Sequence, residues 1–117
     1  MITSLESART GVQGFERSIA VAAHNLANIR TDGFQPSRNN FSEATTGGVA
    51  TQVVPDLSHS SNLAQDTLHD PLWIEQSATD PGENLLYLLL GRRGFEVNLK
   101  SIQTADNILG TVVNLKR

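Results

Sequence analysis

His59, His69 and Asp70 are the residues of this chain whose types could hold a metal ion or move a proton. Metal ligands must converge on one point, and these three, scattered through a Ser- and Asn-rich stretch, match no ligand spacing. Ser58-His59 and Ser60-Ser61 place hydroxyls beside an imidazole. A nucleophilic serine also needs the glycines of a sharp elbow, and they are missing. Gly47-Gly48 and Gly91-Arg92-Arg93-Gly94 could approach phosphate, but neither falls in the strand–turn–helix order of a phosphate loop. With no cysteine, thiolate chemistry, disulfides and cysteine-ligated zinc are excluded. No catalytic, cofactor or metal site emerges, and the chain reads as a non-enzyme.

Asn25, Asn28, Thr31, Gln103, Thr104 and Asp106 are a second set of polar residues with two readings. Singly they read as a polar helix face or as helix ends tied down through Asn and Asp side chains, and the second reading comes from the order in which they occur. The elements that carry them are two terminal helices. In the first, Leu5, Ala8, Val12, Phe15, Ile19, Ala22, Leu26 and Ile29 recur in alternating steps of three and four, a heptad seam. Thr3 and Glu6 fit a capping box at its start. Gly11 and Gly14 each cost about 1 kcal/mol against alanine inside a helix, but they permit close backbone approach. Asn25-Leu26-Ala27-Asn28 leads into Thr31-Asp32-Gly33-Phe34, where Gly33 is expected in the left-handed conformation that ends a helix. Phe34 should fold back on the last turn, and Pro36 forbids resumption.

Gln35 to Thr46 is polar and reads as irregular. Gly47 to Asp56 reads as a glycine turn, a short strand and a stop. Leu57 to Thr79 reads as loop, with a second short strand near Leu72-Trp73-Ile74. The second helix has a clear start: Asp80 as N-cap, Pro81 at the first helical position and Glu83 two further on. Its seam is Leu85, Leu88, Phe95, Leu99, Ile102, Leu109 and Val113, with Arg92 and Asp106 at seam positions that should be apolar. At about 1.5 Å per residue the helices should run roughly 40 and 50 Å. The expected fold is mainly α: two long amphipathic helices pairing as a coiled coil around a short middle with little β structure. The segments are 1–34, 35–79 and 80–117, in one domain.

The chain has 117 residues, 38% hydrophobic, 18% charged and 5% aromatic, with a net charge of −3. Such a composition builds a thin core, and its sign argues against a nucleic-acid partner. Met1 to Glu6 has neither the basic start nor the apolar run of a cleaved leader. Leu85 to Leu90 is too short to span a bilayer.

The order of residues at both ends resembles the bacterial flagellar rod and hook axial proteins. The N-terminal match is Asn25-Leu26-Ala27-Asn28, Thr31 and Gly33-Phe34; the C-terminal one is Phe95-Glu96, Asn98, Lys100, Ile102-Gln103-Thr104 and Asp106, then Leu109-Gly110-Thr111. The short middle is closest in size to the small proximal-rod members and lacks the inserted domains of hook and distal-rod proteins. The family also commonly carries a smaller polar residue near Arg30 to Asp32. The resemblance implies terminal helices that pair into the inner tube of the flagellar axis. Its implied partners are copies of the chain, other rod proteins and the flagellar type III export apparatus, with no small-molecule substrate. The implied location is the periplasm-spanning rod, reached without a cleaved signal peptide. Assembly would proceed through Leu5, Val12, Phe15, Ile19, Leu26, Ile29, Phe95, Leu99, Ile102, Leu109 and Val113. The alternative is a helical adaptor that binds flagellar components without entering the rod.

Overall fold

The computed structural model describes residues 2–45, 47–58 and 77–115. His59, His69, Asp70 and the strand expected near Leu72 to Ile74 lie outside them. The element order is α1 (Ile2–Ala27), β1 (Ser37–Glu43), β2 (Val49–Pro55) and α2 (Pro81–Leu115). The architecture is mainly α with one antiparallel two-stranded ribbon, in register from Ser37 opposite Pro55 to Glu43 opposite Val49.

The two helices run antiparallel. Near one end Asn25 Nδ2 donates to Asn84 Oδ1 at 2.9 Å. Further along, Ile19 lies over Gly91, Phe15 over Gly94, and Asn98 over Gly11. A Cβ on Gly91 would stand 2.8 Å from Ile19 Cγ1, and one on Gly11 would stand 2.6 Å from Asn98 Oδ1. Each helix therefore offers a gap at glycine into which a side chain of the other fits.

Every α1 seam residue from Leu5 to Ile29 is buried or half-buried, as the heptad spacing requires. The α2 seam is a correction. Arg92 and Asp106 are exposed, and Leu85 and Leu99 stand 50% and 40% exposed. The stripe that faces α1 is Asn84, Leu88, Gly91, Phe95, Asn98, Ile102 and Ala105. Leu88, Phe95 and Ile102 belong to both stripes. At the alternate positions the contact lies one residue earlier, on small or amide side chains. At Gly91 Ile19 supplies the bulk, so a leucine facing it would hold the backbones apart, and at Asn98 the amide fills the gap left by Gly11.

The helix ends differ in how well their signals hold. Asp80 Oδ1 accepts from the N–H groups of Gly82 (2.7 Å) and Glu83 (3.1 Å), as an N-cap should. Thr3 is not a cap, because α1 already begins at Ile2. Glu6, its expected partner, takes Arg9 instead, at 2.5 Å. At the other end α1 stops at Ala27, earlier than Gly33 implies. Asn28 Nδ2 donates to the His24 carbonyl (2.9 Å), in competition with the backbone ladder. The chain then turns through Asn28 to Gly33, where Gly33 has φ +67°. Phe34 does fold back, its ring edge-on to His24 with centroids 5.5 Å apart.

β1 is the second correction, since Gln35 to Thr46 reads as irregular. The polar strand is held by its ribbon partner and by α1: Asn39 Nδ2 donates to the Gly14 carbonyl (3.1 Å) and to Ser18 Oγ (2.8 Å). Phe41 packs on Phe15 at 5.2 Å between centroids. β2 sits where expected, anchored by Val49 N–H donating to Thr10 Oγ1 (3.0 Å). The ribbon thus lies along α1 from Thr10 to Asn25.

Candidate assembly interface

Asn25 is 3% exposed and Asn84 4%, and their amides are the polar centre of the fold. Asn25 Nδ2 donates to the Ser37 carbonyl (2.6 Å) as well as to Asn84, and Asn25 Oδ1 accepts from Ser37 N–H (3.0 Å). Asn84 Nδ2 donates back to the Asp80 carbonyl (2.8 Å). One amide pair therefore joins the last turn of α1, the first residue of β1 and the cap of α2. A buried polar pair of this kind fixes register, because a shifted alignment would strand its donors and acceptors. Sequence reading found Asn25 but missed Asn84, Ser37 and the bonding role of Asp80's carbonyl. The available signal was that Asn84 shares the helical phase of Leu88, Phe95 and Ile102.

The remaining motif residues divide by direction. Leu26 is half-buried and Ala27 exposed. Thr31 Oγ1 donates to Asn28 Oδ1 (3.1 Å), and Phe34 N–H to the Thr31 carbonyl (3.2 Å), so these residues build the turn. On α2, Asn98 turns inward and its Nδ2 donates to the Gly94 carbonyl (2.8 Å). Glu96, Gln103, Thr104 and Asp106 face outward. Thr104 Oγ1 donates to the Lys100 carbonyl (2.9 Å), and Glu96 pairs with Arg92 (2.9 Å) and Arg93 (3.3 Å). The hydrogen bond from Arg92 holds the Glu96 carboxyl below the usual glutamate range, and the one from Arg9 does the same for Glu6. Tyr87 Oη donates to Glu83 Oε1 (2.6 Å), which pushes the phenol upward. These exposed pairs add little stability.

Much of α2 is left uncovered. Leu86, Leu89, Leu90 and Val97 are each more than half exposed near its start and middle, as are Val112, Val113 and Leu115 at its end. The helix register sets Ile2 opposite Asn107, so the last two turns of α2 pass beyond the described part of α1. A cleft of about 350 Å³ opens between α1, β1 and the start of α2, with Ala22 on its floor and Phe41, Tyr87 and Leu90 on its rim. Asn39 lines it too, and Asn39 Oδ1 is a buried acceptor with no partner among the described residues. No group of three His, Cys, Asp or Glu that could hold a metal gathers among the described residues, and no described helix is long and apolar enough to cross a membrane.

No protein-family model matches the sequence. The flagellar hook protein FlgE of Helicobacter pylori is 32% identical over 103 residues, covering 86% of this chain and 14% of that protein. The flagellar basal-body rod protein FlgG of Borreliella burgdorferi is 33% identical over 79 residues, covering 68% of this chain and 28% of its own. FlgG of Buchnera aphidicola is 27% identical over 114 residues, 92% of this chain and 42% of its own. The chain is a homologue of the flagellar hook and rod proteins.

It spans less than half the length of the relatives it matches. The residues from which the sequence reading drew the resemblance to rod and hook proteins fall into three physical classes. Asn25 bonds across the helix pair, Asn98 packs against Gly11 and Leu26 is half-buried; Asn28, Thr31, Gly33 and Phe34 shape the exit from α1; Glu96, Gln103, Thr104 and Asp106 present a polar outer face on α2.

Proposed function

We propose that this chain is a structural axial protein of the flagellum, set in the basal-body rod and polymerising through its terminal helices. The observation that carries the reading is the antiparallel pairing of the two terminal segments, which leaves apolar residues of α2 uncovered, in a homologue of hook and rod proteins. On this reading Leu5, Val12, Phe15, Ile19, Leu26 and Ile29 line the inner side of the N-terminal segment, and Phe95 and Ile102 face α1 from the other helix. Leu99, Leu109 and Val113, 40%, 45% and 69% exposed, meet neighbouring subunits. Contacts between unlike surfaces of successive copies produce an open helical assembly when the rotation between copies does not close, which is what an axial tube requires. The partners are copies of the chain and other rod proteins, and no step is catalytic. The chain travels through the flagellar export apparatus with its N-terminus uncleaved and comes to rest in the periplasm-spanning rod. Internal glycines and a thin core suit such passage, since ordering is completed by the neighbours.

Purified basal bodies test this directly. The chain should be found in them, uncleaved, and Leu109→Asp with Val113→Asp should remove it without lowering its helicity in solution. Absence of the unaltered chain from basal bodies of cells that make it, or secretion that persists without the flagellar export gate, refutes the reading.

A further inference from the structure

We propose that the apolar end of α2, from Ile108 to Leu115, seats in the cleft between α1, β1 and the start of α2 of a second copy, head to tail. The proposal rests on the axial reading above and names the contact through which one subunit grips the next.

Two unlike surfaces of the same molecule lack cover among the described residues. At the end of α2, Ile108, Val112 and Leu115 share one face and are 46%, 55% and 81% exposed. The rim of the cleft offers Phe41, Tyr87 and Leu90, at 45%, 39% and 56%. The α2 end continues an interface already made, because Leu109 and Val112 are the next positions of the stripe that runs through Phe95, Ile102 and Ala105 onto α1. The surface this stripe matches elsewhere is therefore one floored by α1, as the cleft is.

Dimensions and charge agree. The cleft follows α2 from Asn84 to Gly91, about 12 Å, and the free end of α2 has nearly the same length. Residues 107–115 carry no ionisable side chain. Among the described residues lining the cleft Arg38 is the one formally charged side chain, so burial of residues 107–115 there strands no carboxylate. The two surfaces lie roughly 30 Å apart along one straight helix, so a chain cannot fill its own cleft. The occupant on this proposal is the α2 end of another copy. Because the contact joins different patches, it leaves a free end and a free cleft on each added copy, and it propagates as an open helix where the rotation between copies does not close a ring.

The native chain contains no cysteine, so cross-linking tests the contact cleanly. The full chain carrying Leu90→Cys and Val112→Cys, treated at high concentration with a short bis-maleimide, should give a ladder of covalent multimers. Either single substitution should give no ladder, and a mixture of the two single variants should stop at heterodimers. Arg17→Cys, exposed on the far side of the ribbon, replaces Leu90→Cys as the control and should yield no ladder with Val112→Cys. Unchanged far-ultraviolet circular dichroism shows that the variants are folded. A double variant that stays monomeric, links equally well through Arg17→Cys, or links only to a different protein in basal bodies overturns the proposal. If the chain is present in basal bodies but forms no ladder, this contact fails and the axial reading stands. A ladder from a chain absent from basal bodies gives the reverse.

Discussion

Replacing Asn25 with alanine removes three hydrogen bonds at once, to Ser37 N–H, Ser37 C=O and Asn84 Oδ1. Ser37 is half-buried, so water can reach part of what is lost there, whereas Asn84 is 4% exposed and its oxygen is left stranded. Each ordinary bond is worth about 1 kcal/mol net, and a stranded buried acceptor costs about 1–3 kcal/mol. Asn25→Ala should therefore cost about 2–4 kcal/mol. Urea titration followed by circular dichroism measures it, with an excluded osmolyte added if the parent is only marginally folded. Asn84→Ala should be non-additive with Asn25→Ala by at least about 0.5 kcal/mol, because they share a bond. Asn25→Asp is the sharper probe. Its carboxylate would face the Ser37 and Asn84 oxygens in a buried site, so the folded state favours the protonated form and raises the pKa. That variant should be most stable in acid and lose stability as pH rises above the ordinary aspartate value of about 3.9. A cost for Asn25→Ala below about 0.5 kcal/mol, or full additivity with Asn84→Ala, refutes the register-fixing role.

Gly33→Val places a β-branched residue at φ +67° and should cost more than the roughly 1 kcal/mol of ordinary propensity change; an unchanged urea midpoint would remove the turn assignment. Gly91→Leu drives a side chain into Ile19 and should cost at least the 1–3 kcal/mol typical of overpacking, seen as reduced helicity; an equally stable variant would show that the helices do not approach so closely. Glu6 and Glu96 titrate below the usual glutamate range, so their stabilising effect is complete above that range and fades as pH falls through the lowered values. The parent chain should accordingly lose helicity slightly on acidification, opposite in sign to Asn25→Asp, and no change in Glu96→Gln relative to the parent across pH 3–6 would show the pair idle.

What could be read without coordinates follows from which signals are apolar. The α1 stripe is legible because all its positions carry hydrophobic or small side chains in unbroken steps. On α2 Gly91 was legible only as a close-packing glycine, and hydrophobicity placed only Leu88, Phe95 and Ile102, since Asn84, Asn98 and Ala105 give no hydrophobic signal and larger neighbours at Leu85 and Leu99 draw the seam one residue off. Their smallness is what the contact needs, and a hydrophobicity pattern records only size and greasiness. Asp80 was legible as a cap through Pro81 and Glu83. β1 was not, because its order comes from Asn39 reaching Gly14 and Ser18 on a helix far away in sequence. The interface residues were legible as apolar, but not which ones turn inward.

Among the described residues the buried hydrophobic side chains are Ala8 and Ala22, and no large side chain is fully buried. The Cα radius of gyration is 20.4 Å, where a compact chain of this length would measure about 13 Å. Heat capacity follows from this. Unfolding the lone chain exposes little apolar surface that is not already wet, so its heat-capacity increment should fall well below the 12–15 cal/mol/K per residue usual for globular domains. Its denaturant slope should be shallow for the same reason, and its stability nearly flat with temperature. On the proposed axial reading the missing increment is deferred to association, which should show a large negative heat-capacity change as the outer face of α2 is dried by its neighbours.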